Sequence, residues 1–310
     1  MKVIFLGTAD FARPSLEALL ASPHKTIGVV TQPDRPKGRG QKLFSSPIKT
    51  LALRENLSLF QPEKVRDSDF LRVLESLRPD LLVVVAYGQI LPPSVLSIPV
   101  RGCVNVHGSL LPQYRGAAPI ARAILGGEDR TGVTTMLLDE GMDTGPILLT
   151  EETDIEQDDT SRTLHDRLSR MGASLLLRTL EGLERNTLTP RPQDHSQATY
   201  APKIEKEEAR IDWNTPARHL FNLLRAFDPW PGAFTSWKGR ILKLFRPRFS
   251  EENTGEAPGT LVQASPEGLR ISASQGCLLV REVQPESRPR MGVADFLKGY
   301  SLRSGVQLGD

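Results

Sequence analysis

Along the first half of the chain, short all-apolar runs alternate with stretches whose apolar residues recur every three or four positions. Val3–Gly7 reads as a buried strand, and Pro14–Leu20 as a helix with Leu16, Leu19 and Leu20 on one face. Thr26–Thr31 is the next strand. Ser46-Pro47 supplies an N-cap and a proline at the first helical position for a helix turning Ile48, Leu51 and Ala52 inward. After a short strand at Leu57–Phe60, Asp67 opens a helix carrying Phe70, Leu71, Leu74 and Leu77, which Arg78-Pro79 ends. Asp80–Ala86 is then apolar almost throughout, and Gly102–His107 and Gly132–Asp139 are further strands. Strands apolar on both faces belong in parallel sheets covered on both sides. The pattern predicts an α/β fold, a doubly wound and mostly parallel sheet.

A hairpin-like segment ending in Ile147–Thr150 follows. A long amphipathic helix then runs from about Ser161 to Leu183, with Leu164, Leu168, Met171 and Leu175 on one face. The texture changes after Asn186. Residues 189–208 are rich in proline, glutamine and charge, lack a sustained apolar period, and read as a linker. Thr215-Pro216 starts one more helix, which stops at Asp228-Pro229. Short strands follow at Ala233–Trp237, Ile241–Phe245, Thr260–Ala264, Leu269–Ala273 and Cys277–Val283, and a short helix at Val293–Lys298 closes the chain. Such close spacing suggests a small β-barrel. The expected division is a domain over 1–188, a linker over 189–208 and a second domain over 209–310.

Composition narrows this picture. A chain of 310 residues is long enough for two cores, and 25% charged residues exclude a mainly disordered chain. No apolar run approaches the roughly 18 residues of a membrane span, and the N-terminus lacks the form of a signal peptide. Two cysteines are too few for a disulfide framework. A soluble, reduced, cytoplasmic monomer is expected. The formal net charge of +2 hides local runs. Arg35, Lys37, Arg39 and Lys42 share one glycine-containing loop, and Lys238, Arg240, Lys243, Arg246 and Arg248 lie in a stretch without acids. Either run is equally well a solvated face.

Ligands of open α/β sheets bind beyond the carboxyl ends of the strands. Gly7-Thr8-Ala9-Asp10 after the first strand has one glycine of the dinucleotide fingerprint, so Asp34 is no strong sign of a nicotinamide cofactor. In Cys103-Val104-Asn105-Val106-His107 the pleat places Asn105 and His107 on one face. An amide and an imidazole side by side can hold an oxyanion or protonate a leaving group, although a histidine satisfied by backbone reads equally well. Asp143 stands within the Gly141–Gly145 turn, where an aspartate is often only a turn former. Folded back on His107, it would orient the imidazole and accept a proton. The five histidines show no metal-ligand spacing, so no metal is expected. Ser109 is not in a nucleophile elbow, and Cys103 reads as a core filler.

Taken together, Asn105-x-His107, Ser109-Leu110-Leu111-Pro112 and Asp143 in Gly-Met-Asp-Thr-Gly resemble the folate-dependent formyltransferases. Thr31–Pro36 with Gly38-Arg39-Gly40 and Ser46–Lys49 is similar to a loop of those members that act on methionyl-tRNA. Tyr114–Ile120, Ala198–Ile204 and Ile211-Asp212-Trp213 are similar too, so the resemblance spans essentially the whole chain. Ala9 departs from the proline common in the family. The resemblance implies formyl transfer from 10-formyltetrahydrofolate to the α-amine of methionine on initiator methionyl-tRNA. It assigns catalysis to Asn105, His107 and Asp143, and the folate loop to Ser109, Leu110, Leu111 and Pro112. It assigns tRNA contacts to Arg35, Lys37, Arg39 and Lys42, and to Lys238, Arg240 and Lys243 in an OB-like second domain, with Trp237 beside them. No metal and no covalent enzyme intermediate are implied.

Several rivals share the triad. A glycinamide ribonucleotide formyltransferase would be one short domain. A sugar-nucleotide formyltransferase would lack the basic loop at Arg35–Lys42. A formyltetrahydrofolate hydrolase would use water as acceptor. A noncatalytic RNA-binding module would not need Asn105, His107 and Asp143 intact.

Overall fold

The run Lys-Val-Ile-Phe-Leu-Gly forms β1 (Lys2–Gly7), with every residue after Lys2 buried. It is an inner strand of a seven-stranded sheet in a computed structural model that describes residues 1–37 and 42–309. Beside β1 lie β2 (Lys25–Val30) and, beyond a two-stranded hairpin of β3 (Arg35–Lys37) and β4 (Lys42–Phe44), the short β5 (Leu59–Phe60). On its other side run β6 (Leu81–Val85) and β7 (Cys103–His107). All pairings among β5, β2, β1, β6 and β7 are parallel. The order reverses at β1, which opens a crevice beyond the carboxyl ends of β1 and β6. After β8 (Arg115–Gly116), the strands β9 (Arg130–Leu137) and β10 (Ile147–Asp154) extend the sheet antiparallel. The sheet is therefore mostly parallel, with β9 alone running against the other strands, a direction the apolar pattern of Gly132–Asp139 could not reveal.

The helices follow their sequence signals. In α1 (Arg13–Leu20), Leu16 and Leu19 are buried. The Ser46 hydroxyl accepts the Lys49 N–H at 3.0 Å to cap α2 (Pro47–Arg54), and Asp67 caps α3 (Ser68–Leu77) through the Asp69 N–H. Arg78 ends α3 in the left-handed region. The short α4 (Pro93–Leu96) and α5 (Pro119–Gly126) follow, then the long α6 (Ser161–Glu184), which buries Leu168, Leu175, Leu176 and Leu180. A Cβ on Gly172 of α6 would stand 2.8 Å from Cγ1 of Val106, so the bare glycine is what lets α6 lie this close to β7.

Two units separate by contact. One holds Met1–Pro119, Arg130–Asp154 and His165–Ala201, and the other Ile120–Asp129, Ile155–Leu164 and Pro202–Asp310. Residues 191–201 are built into the first unit. Arg191 exchanges backbone hydrogen bonds with Ile147, and β11 (Tyr200–Ala201) pairs with β8 in parallel. In the second unit Arg225 of α7 (Ala217–Ala226) donates to the carbonyls of Glu156 and Asp159 at 2.9 and 3.2 Å, which ties in the 155–164 segment.

The sheet of the second unit comprises β12 (Phe234–Trp237), β13 (Arg240–Ser250), β14 (Leu261–Ser265), β15 (Gly268–Ser272), β16 (Cys277–Pro285) and β17 (Met291–Gly292), followed by α8 (Val293–Gly299). The order is β12-β13-β16-β15-β14, antiparallel throughout, with β17 also on β16. Among the described residues the sheet's end strands β12 and β14 do not pair with each other, so the unit is an antiparallel sheet without a demonstrated closed barrel. β13 runs on to Ser250, past the expected end at Phe245, because β16 pairs with it along its length. No helix among the described residues is long and apolar enough to cross a membrane.

Candidate active site

β7 delivers Asn105 and His107 at its carboxyl end, 9% and 6% exposed. Strand alternation turns Val104 and Val106 to the opposite face, where Gly172 admits α6. The His107 Nε2 atom lies 2.9 Å from the Tyr114 carbonyl oxygen. A carbonyl only accepts, so Nε2 carries the proton of that bond. Nδ1 lies 3.6 Å from Asp143 Oδ2, within ion-pair range but too long for a hydrogen bond. The Asn105 carboxamide has no hydrogen-bond partner among the described residues. Its donor and the Nδ1 edge of His107 are thus the open polar positions of the strand end.

Asp143 sits in the turn joining β9 to β10, with φ of +54°. A non-glycine residue there costs on the order of 1–3 kcal/mol and persists only where its surroundings over-determine it. They do so here. The Gly116 N–H donates to Asp143 Oδ2 at 2.8 Å, and the Gln193 amide donates to the carbonyls of Asp143 and Gly145 at 2.8 and 2.7 Å. Asp139 braces the turn's other arm by accepting from the Gly141 N–H and the Thr144 hydroxyl. Gly145 is required by space, since a Cβ there would fall 1.9 Å from the Leu137 carbonyl oxygen.

The loop after β7 is held from within. Thr134 of β9, fully buried, donates to the Ser109 carbonyl at 2.7 Å and accepts the Leu111 N–H at 3.1 Å. The Ser109 hydroxyl donates to the Gln113 carbonyl at 2.6 Å and Leu111 is buried, which leaves Leu110 and Pro112 as the partly exposed members of the expected folate loop. Leu110, Leu111 and Pro112 line a groove of about 350 Å³ together with Ile147 and Arg191; Asn105, His107 and Asp143 do not line it. Burial pushes the Cys103 thiol up to about 12, so it is no nucleophile at neutral pH. Among the described residues no group of three or more His, Cys, Asp or Glu is placed to hold a metal ion.

The basic residues divide. Arg39 lies outside the described residues, and Lys37 and Lys42 are described only as backbone partners in the β3–β4 hairpin. Arg35, at the foot of that hairpin, is exposed. Lys238 and Gly239 both have positive φ, which makes a type I′ turn between Trp237 and Arg240 and puts Lys238 at a hairpin tip. Lys238 and Arg240 are exposed, but Lys243 is half-buried and donates to the Pro231 carbonyl at 2.6 Å. Trp237, half-buried, packs edge-on against Phe296 and Tyr300 at the margin of the core, with the Lys238 ammonium 5.0 Å from its ring centre.

Sequence reasoning missed Thr134 and Gln193. Gln193 stood in a polar stretch with no period to mark it, and Thr134 was one β-strand threonine among several.

Residues 1–180 match the formyl transferase family, and residues 203–301 match the C-terminal domain of formyl transferases. The chain belongs to the formyl transferase family. Among the relatives of this formyl transferase, the methionyl-tRNA formyltransferase of Desulfotalea psychrophila is 50% identical over 302 residues, 97% of this chain and 94% of the relative. That of Alkaliphilus oremlandii is 44% identical over 310 residues, the full length of both. A solved N-formyltransferase from Helicobacter canadensis has a TM-score of 0.67 at 21% identity, covering 92% of this chain and 99% of that one. The fold is the Rossmann-like formyl transferase fold with an added antiparallel C-terminal domain.

Proposed function

We infer that this formyl transferase moves the formyl group of 10-formyltetrahydrofolate to the α-amine of methionine esterified to initiator tRNA. The observation that carries the reading is end-to-end identity of 44% to 50% with methionyl-tRNA formyltransferases, both units included. The Helicobacter canadensis enzyme was solved with folinic acid, which supports a folate co-substrate.

The amine attacks the formyl carbon, and the carbonyl oxygen becomes a tetrahedral oxyanion. Asn105 offers a neutral N–H to that oxygen from a site nearly closed to water, where such a donor is strongest. His107, whose Nε2–H is given to the Tyr114 carbonyl, joins Asn105 at the oxyanion as an imidazolium donating from Nδ1. The Asp143 carboxylate, 3.6 Å from Nδ1, orients the imidazole from ion-pair range. Asp143 takes the proton that the amine gives up and relays it to the folate nitrogen as the bond from that nitrogen to the formyl carbon breaks. Formylmethionyl-tRNA and tetrahydrofolate leave. Leu110 and Pro112 form the folate-side wall. Arg35, Lys37, Arg39 and Lys42, with Lys238 and Arg240 on a second unit of OB-like kind, follow the tRNA backbone, whereas Lys243 is held by Pro231.

The test is incubation with 10-formyltetrahydrofolate and charged initiator or elongator tRNA, following formylmethionine. Transfer to the initiator species is expected. Folate hydrolysis without transfer, or no reaction, would overturn the reading.

A further inference from the structure

Arg115 and Gln193 form a buried strut that no step of the proposed mechanism uses. Arg115 is 2% exposed and Gln193 6%. Arg115 donates twice to Gln193 Oε1, from Nε at 3.1 Å and Nη2 at 2.6 Å, and Nη2 also faces His195 Nδ1 at 3.2 Å. No carboxylate pairs with this guanidinium among the described residues. A cation buried against neutral acceptors is not the cheapest way to fill a core. What it does is orient an amide. With Oε1 held from both guanidinium nitrogens, the Gln193 amide nitrogen points at the carbonyls of Asp143 and Gly145 at 2.8 and 2.7 Å. The next residue after Arg115, Gly116, donates its N–H to the Asp143 carboxylate itself. One short strand therefore holds both the side chain and, through Gln193, the backbone of Asp143. The strand is in turn anchored by Thr199, whose carbonyl accepts the Arg115 N–H at 2.9 Å and whose hydroxyl accepts the Tyr114 N–H at 2.8 Å.

We propose that Gln193 is a positioning residue for the formyl-transfer centre, holding Asp143 in its left-handed conformation with its carboxylate toward His107. Residues 191–201 are then part of the catalytic apparatus, although they read as a connector. The inference rests on the activity proposed above and on Asp143 acting in the proton transfer.

The experiment compares the full chain with Gln193→Ala, Gln193→Glu, Asp143→Asn and Asp143→Asn combined with Gln193→Ala, by single-turnover transfer with enzyme in excess. Gln193→Glu keeps an acceptor for Arg115, now as an ion pair, and replaces the donor to the two carbonyls with an oxygen that cannot donate. Its thermal midpoint should stay near that of the wild type while its transfer rate falls by between about tenfold and a hundredfold, the scale of a misplaced group. Gln193→Ala should lose a similar factor, with KM for tRNA and for folate within about twofold. In the Asp143→Asn background the alanine change should cost little more, because a residue acting through Asp143 has nothing left to position. A wild-type rate in Gln193→Glu, or losses that multiply in the double variant, would overturn the proposal. A wild type that transfers no formyl group would instead remove the activity on which it rests.

Discussion

Asn105 is nearly enclosed, yet its carboxamide makes no hydrogen bond to the described residues. Buried amides usually find partners, and a donor left open at a strand end is what an oxyanion requires. Asn105→Ala should lower kcat by about 10²–10³, the usual loss for one oxyanion donor, while KM for methionyl-tRNA stays close to that of the wild type. Steady-state kinetics at saturating folate measures both. Thr134 differs in kind, since it holds the loop and touches no reacting atom. Thr134→Val keeps the shape but strands the Leu111 N–H in the interior, so stability should fall by about 1–3 kcal/mol, read from urea midpoints. The Asn105–His107 pair was legible in the sequence because a strand's period of two puts alternate residues on one face. The contact of His107 with the Tyr114 carbonyl was not, because it depends on how the loop turns back over seven residues.

At the scale of elements, β7 is positioned by what lies behind it. Gly172 of α6 faces Val106, which stands between the two proposed catalytic residues, so Gly172→Val pushes on the strand that carries them. Overpacking of this kind costs about 1–3 kcal/mol, more than the roughly 0.5 kcal/mol gained by removing a helical glycine. Lower stability and lower kcat should appear together, and an unchanged melting point would show that the helix yields freely. In the second unit Arg122 of α5 donates to Glu208 at 2.6 and 3.0 Å and to the carbonyls of Pro202 and Lys203. The Arg122 hydrogen bond holds the Glu208 carboxyl below the usual glutamate value, against an opposing effect of burial. A depressed folded-state value means that this stabilisation is full above the unfolded value, about 4.3, and is lost as pH falls through the folded value. The stability gap between wild type and Arg122→Met should therefore narrow from pH 6 to pH 3, leaving the part due to the two carbonyls. Urea midpoints across that range decide it. Apolar runs made the strands and helices readable, but the antiparallel direction of β9 and the docking of 191–201 were not. Direction is set by partners distant in sequence, and the docking rests on single polar residues such as Gln193.

For the molecule as a whole, the near-neutral net charge is a weak guide to a polyanionic partner, because binding depends on which cations are free. Lys238 and Arg240 are exposed beside a hairpin turn, whereas Lys243, close by in the chain, donates its ammonium to Pro231. Each phosphate contact adds about 0.7–0.9 to the slope of log affinity against log salt. Lys238→Asn combined with Arg240→Ala should thus reduce that slope by between about one and two, and weaken tRNA binding at 50 mM salt more than at 200 mM. Asparagine is the suitable replacement at 238, because φ is +51° there and Asn-Gly favours the type I′ turn, so the hairpin survives while the charge goes. Lys243→Met should leave the slope unchanged and lower the melting point of the second unit instead, since it removes a hydrogen bond within that unit. Formyl transfer at saturating tRNA should be unaffected in the double variant, as neither residue belongs to the reacting centre. A salt slope equal to the wild type's would place the tRNA elsewhere and return these two residues to a solvated face.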